Sequence, residues 1–98
     1  PTKNRCHRMK PLKASNRVVL TTLADGTGVL LHLDTKFYFT LNKSGVAVWN
    51  CLEMAPTNVV DLTELLVAQF EVGHDQARAD LNSLLVEMRN EQLIDELT

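Results

Sequence analysis

At Asn42 the hydrophobic pattern of this chain changes its period from two to 3.6, which divides it into a strand-forming half and a helix-forming half. Before the switch, Arg17 to Leu23 (RVVLTTL) is rich in β-branched residues, which favour strands. Asp25-Gly26-Thr27-Gly28 is a tight-turn signal. Gly28 to Asp34 alternates, with Val29, Leu31 and Leu33 on one face and Leu30, His32 and Asp34 on the other. After a short turn at Asp34-Thr35-Lys36, Phe37, Phe39 and Leu41 share a face opposite Tyr38 and Thr40. Two short loops in succession predict an antiparallel meander whose first and third strands are both edges.

From Asn42, an N-cap residue, Gly45, Val48, Trp49 and Leu52 recur at helical spacing and predict a first helix that Pro56 stops. Asp61 with Glu64 reads as a capping box opening a second helix, with Leu62, Leu65, Leu66 and Phe70 inward. Asp75 is expected to cap a third, about residues 76–90, with Ala77, Leu81, Leu84 and Met88 inward. The last two helices make a helix-turn-helix, and Leu93, Ile94 and Leu97 are expected to pack back as an apolar tail. A three-stranded sheet cannot bury its apolar face alone, so the helices must cover it. The expected fold is α+β and winged-helix-like, a three-stranded meander followed by three helices (βββααα).

The 98 residues make one domain by size. The division expected is a flexible basic tail over residues 1–15 and a folded domain over 16–98. Net charge is −2, but it is split: Lys3, Arg5, Arg8, Lys10, Lys13 and Arg17 lie in the first seventeen residues, leaving four basic and all twelve acidic residues beyond them. A basic arm on an acidic body hints at a partner and says nothing of fold. No apolar run approaches the roughly 18 residues that cross a membrane. Without a hydrophobic N-terminal stretch of signal-peptide type, a cytoplasmic location is expected. Cys6 and Cys51 fall in unlike settings and read as free thiols.

The residues assemble no catalytic set. Ser44 and Ser83 have no His/Asp pattern near them, Cys51 has no His at a motif spacing, and the carboxylates are scattered over caps and helix surfaces. The chain is therefore not expected to be an enzyme. Cys6, His7, His32, Cys51 and His74 show no paired metal-ligand spacing, so no metal or cofactor is expected; His32 reads as a cross-strand partner on an outward face. A winged-helix DNA-binding protein is the alternative reading, its third helix entering the major groove. Asp75, Asp80, Glu87 and Glu91 against only Arg78 and Arg89 oppose it, because neutralising phosphates supplies much of DNA affinity. The third strand, Lys36 to Leu41, has few charges and no Pro, so it lacks the usual protection of an exposed edge. Such an edge is either short and tolerated, or covered by the fold, or paired with a partner's strand. It also permits strand exchange between copies and hence a homodimer.

The stretch from Leu33 to Glu53, LDTKFYFTLNKSGVAVWNCLE, resembles the PqqD family: an aromatic strand ending in Leu-Asn, here Phe39, Leu41 and Asn42, then a helix with Trp near its end, here Trp49. Leu62 to Val72 and Ala77 to Asp95 resemble that family's second and third helices, so the likeness covers roughly residues 17–95. Two positions depart from it: the family often has Gly in the turn before the third strand and before the closing apolar pair, where this chain has Lys36 and Gln92. The resemblance implies a non-catalytic recognition element for ribosomally made, post-translationally modified peptides. The leader of a precursor peptide would add as a strand between the third strand and the third helix, for presentation to a modifying enzyme, often a radical SAM enzyme, or to a leader protease. The residues expected to bind it are Lys36, Phe37, Tyr38, Phe39 and Thr40 through their backbone, and Arg78, Leu81, Leu85 and Arg89 as the helical wall. The helical wheel alone leaves open which flank of that helix faces the strand; the basic flank is chosen because it would suit an acidic leader.

Overall fold

The structure, a computed structural model, describes residues 11–96. Strands β2 (Val18–Thr22), β3 (Gly28–His32) and β4 (Tyr38–Leu41) form an antiparallel sheet in the order β2-β3-β4, so β2 and β4 are its edges. Helices α1 (Lys43–Met54), α2 (Val59–Phe70) and α3 (His74–Asn90) follow. A second, two-stranded sheet pairs β1 (Leu12–Ala14) with β5 (Ile94–Glu96). The βββααα order and both edges thus agree with the sequence pattern.

The sheet buries one face. Val18, Leu30, His32 and Leu41 point into a core that also contains Val48, Trp49 and Leu52 of α1, Leu62 and Leu66 of α2, and Ala77, Leu81, Leu85 and Met88 of α3. At Gly28 a Cβ would come within 2.8 Å of Leu20 and 3.1 Å of Val46, so only glycine lets α1 close over the start of β3. The outward face carries a cross-strand row of Val19, Leu31 and Tyr38 and beside it Thr21, Val29 and Thr40, with no charge among them. The charges sit at the turns. Asp25 accepts hydrogen bonds from the Thr27 amide and hydroxyl, and Arg17 donates to Asp34 at 2.7 Å. These bonds hold both carboxyls below the usual carboxylate range. A lowered carboxylate favours the folded state above its unfolded pKa, and that contribution is lost as pH falls through the lowered value.

Several expectations are corrected. Residues 12–14 are not tail: Leu12 is buried, its amide and carbonyl each bond Thr57 at 2.9 Å, and β1 pairs with β5. A three-residue alternation is too short to register as a period, and its partner lies at the far end of the chain. The first ten residues, Cys6 and Leu97 lie outside the described residues. Helix α2 is capped by Asn58, whose Oδ1 accepts the Asp61 amide at 2.8 Å, so Asp61 sits within the first turn. Helix α3 starts from Gly73 with no side-chain cap, and Asp75 lies in its first turn, where it complements the helix dipole. Its buried stripe takes Leu85, while Leu84 is only half-buried, because both choices satisfy a 3.6-residue period. His32 points inward and is buried. The expectation failed there because β3 offers apolar residues on both faces, and which face is inside is fixed by α1, whose Val46 packs over Gly28 on the face that Leu30 and His32 share.

The two positions where the family often has glycine both adopt left-handed backbone: Lys36 at φ 64° and Gln92 at φ 61°. At the end of α3 the Leu93 amide bonds the Met88 carbonyl at 2.8 Å and the Gln92 amide bonds the Arg89 carbonyl at 3.1 Å, a Schellman motif with Met88 and Leu93 in its apolar contact. A left-handed non-glycine residue is strained, so Lys36→Gly and Gln92→Gly should each raise stability by about 0.5–1 kcal/mol, read from urea midpoints at unchanged slope.

Candidate functional site

The site is built on β4. The His32 amide donates to the Phe37 carbonyl at 3.0 Å, which fixes the phase of the ladder between β3 and β4. Bonded pairs alternate in an antiparallel ladder, so Phe39 and Leu41 direct their backbone groups to Leu30 and Gly28. Tyr38 and Thr40 direct theirs away from the sheet, toward the open edge. The side chains of Tyr38 and Thr40 are exposed on the outer face, Phe37 is 40% exposed, and Phe39 packs half-buried on the core.

His32 sets where this edge begins. Its Nδ1 accepts the amides of Asp34 at 3.2 Å and Thr35 at 3.4 Å, and its carbonyl accepts the Lys36 amide at 2.8 Å. Sequence reasoning missed this role; a His ahead of a turn whose amides need an acceptor was the signal available. His32→Leu removes that acceptor and should cost about 1–2 kcal/mol. His32→Asn, which keeps an acceptor at similar reach, should recover about half, as denaturant titration of the two variants would show.

Two observations locate the ends of helix α3. Near its start Asp80 borders the β4–α1 junction; just past its end the Leu93 carbonyl accepts the Ser15 amide at 2.9 Å, close to Arg17, which pairs with Leu33. Between the junction and α3 lies a depression of about 120 Å³, lined by Asn42, Ser44 and Val48, by Leu66, and by Asp80, Leu81 and Leu84. Asn42 is held there as the α1 cap, its Oδ1 accepting the Gly45 amide at 2.9 Å and the Ser44 hydroxyl at 3.0 Å. A larger apolar recess adjoins it beyond the α1 N-terminus.

The expected wall is divided by this geometry. Leu81 and Leu85 are core residues, although Leu81 reaches the floor of the depression. Arg78 and Arg89 are exposed, and neither borders the depression or the recess. The α3 side chains that do border it, Asp80 and Leu84, lie on the other flank. Among the described residues no three His, Cys, Asp or Glu side chains converge to hold a metal ion. Cys51 is a free, half-buried thiol, with Sγ 3.5 Å from Thr57 Oγ1.

An antiparallel three-stranded sheet with free edges, followed by three helices of which the last two form a helix-turn-helix, defines a winged-helix-like α+β domain. Residues 27–94 match the family described as Coenzyme PQQ synthesis protein D (PqqD). The chain belongs to the PqqD family and is of its RiPP recognition element type, RiPP denoting a ribosomally made, post-translationally modified peptide. A similar solved structure is TbiB1 in complex with the TbiA(beta) leader peptide, 29% identical with a TM-score of 0.75, covering 88% of this chain and 98% of that one. A second is lasso peptide synthetase B1 complexed with the leader peptide, 18% identical with a TM-score of 0.71, covering 86% and 96%; that likeness is one of fold. Comparison with curated proteins returns no match.

Proposed function

We propose that this chain is a non-catalytic carrier that takes up the leader of a ribosomally made precursor peptide as an extra strand on β4. It then presents that peptide to a separate enzyme, a radical SAM enzyme or a leader protease, in the cytoplasm where such precursors are made. The carrying observation is the free edge: the backbone groups of Tyr38 and Thr40 point outward, and the strand leads into Asn42, which lines a depression together with Asp80, Leu81 and Leu84 of α3. Main-chain bonds to that edge would supply affinity, and side-chain pockets selectivity. The relative at 29% identity was solved with a leader peptide bound, which supports the same ligand class here. No helix among the described residues is long and apolar enough to cross a membrane.

The geometry favours Asp80 and Leu84, with Leu81 beneath, as the helical wall, in place of Arg78, Leu85 and Arg89. Arg78→Glu should then leave affinity within about twofold, the size of effect expected for a charge at the rim. A tenfold loss would return the basic flank to the groove.

The deciding experiment is a fluorescence anisotropy titration with a synthetic leader from the short reading frame beside this chain's gene, run against a labelled DNA duplex. Saturable micromolar binding of the peptide that survives moderate salt supports the carrier reading. Tight duplex binding without any peptide response would overturn it in favour of a winged-helix DNA-binding protein.

A further inference from the structure

We propose that the outward face of the β2-β3-β4 sheet is the surface on which the enzyme receiving the peptide docks, through an uncharged apolar patch of its own. The bound leader completes that surface. The inference rests on the leader-carrier reading above and adds to it where the partner sits and how it tells a loaded carrier from an empty one.

The face is unlike the rest of the domain. Val19, Leu31 and Tyr38 form one cross-strand row, and Thr21, Val29 and Thr40 the next. Val19 is 47% and Tyr38 66% exposed. Single exposed apolar residues need no explanation, but these are neighbours in one uncharged row. At its rim the charges of Arg17 and Asp34 cancel, 2.7 Å apart. The helical side is the opposite: from Lys43 to Glu96 there are ten acidic residues and three basic ones. Covering a charged surface costs desolvation, and this face can be covered without that cost.

The occupant follows from continuity with the β4 edge. Residues opposite each other in an antiparallel pair turn their side chains to the same face. The leader residues bonded to Tyr38 and Thr40 would therefore lie beside them on the outward face, as a fourth member of each row. Every pair in the sheet is antiparallel, and a strand added in that sense runs from the Leu41 end of β4 to the Tyr38 end. A leader precedes the part of its precursor that is processed. That part thus leaves the sheet beside Tyr38, and an enzyme acting on it meets this row first. Size gives the dependence on loading. Strands of four or five residues, three abreast, outline roughly 14 by 17 Å, far short of the roughly 800 Å² per partner of a standard interface. A fourth strand adds about 5 Å of width and its own outward side chains. Two copies pairing through bare faces would gain neither.

Val19 supplies the test, because it lies on β2, away from the leader's edge. The radical SAM enzyme or leader protease encoded beside this chain's gene is titrated onto the immobilised carrier, empty or saturated with the synthetic leader, and followed by biolayer interferometry. The loaded carrier should bind at least about tenfold tighter than the empty one, with little effect of moderate salt. Val19→Glu and Val19→Arg should each weaken docking roughly 10- to 100-fold, whichever the sign, and keep leader affinity within about twofold. Val19→Thr, which keeps the branched shape, and Glu53→Lys, on the exposed surface of α1, should both dock within about threefold of the unaltered protein. Circular dichroism checks that each variant is folded. A leader that fails to bind the unaltered protein sinks the carrier reading and this surface with it. Tight leader binding with docking that ignores both charged Val19 variants, or with no docking at all, overturns the surface alone. Equal affinity for empty and loaded carrier overturns the leader's share in it. Self-association that the charged Val19 variants abolish, read by sedimentation of the protein alone, would assign the face to a second copy instead.

Discussion

Replacing Trp49 by alanine should lower the unfolding free energy by about 4 kcal/mol, a large fraction of the roughly 5–15 kcal/mol that holds a domain of this size folded. Trp49 is completely buried on the inward face of α1, at the centre of the packing between sheet and helices. Removing the indole deletes its transfer free energy and leaves a cavity that β3 and the three helices cannot close without moving together. The companion change separates volume from polarity. The Trp49 Nε1–H finds no hydrogen-bond partner among the described residues, and a buried orphan donor costs about 1–3 kcal/mol. Trp49→Phe removes that donor while keeping most of the ring, so its net cost should be about 1 kcal/mol or less. Equilibrium denaturation of both variants checks the pair. A phenylalanine variant as damaged as the alanine one would mean that the nitrogen is satisfied after all, for instance by water.

Thr40→Pro should abolish most peptide binding and leave the domain folded, with a loss of roughly 10- to 100-fold in affinity. The Thr40 amide points to the open edge and takes no part in the ladder to β3, and proline is tolerated at such an edge position. Its loss removes a donor that an added strand would use and strands a carbonyl of the peptide. Phe39→Pro is the contrast, because the Phe39 amide faces Leu30 within the sheet; that change should destabilise the fold itself. Anisotropy with the leader peptide, alongside circular dichroism, distinguishes the two. Full affinity in a folded Thr40→Pro protein would rule out strand addition at β4 and direct attention to the face of α3.

The meander, the Asn42 cap and the α1 stripe were legible because each is a local matter of period, turn chemistry and capping. What was not legible is where distant segments meet. Leu12 reads as tail until Ile94–Glu96 is beside it, and His32 reads as outward until α1 packs over the face it shares with Gly28 and Leu30. In α3 the wheel located the core stripe to within one residue but left its flanks equivalent. Only the packing of α3 against the β4–α1 junction shows that Asp80 and Leu84, and neither arginine, border the depression. The αL positions were legible in a different way. Lys36 and Gln92 departed from a glycine pattern, and the backbone there kept the left-handed turn and accepted the strain.

The pairing of β1 with β5 brings the first and last described strands side by side, in a sheet separate from the one that offers its edge. A domain that leaves and returns at one place can be carried by another polypeptide, inserted in a loop or fused at either end, without its host having to span it. The same adjacency makes it a natural subject for circular permutation, with the ends joined and the chain reopened at the exposed Ala24–Asp25 turn. The architecture thus makes the domain portable: its fold closes on itself through β1 and β5 and depends hardly at all on where in a longer chain it is placed.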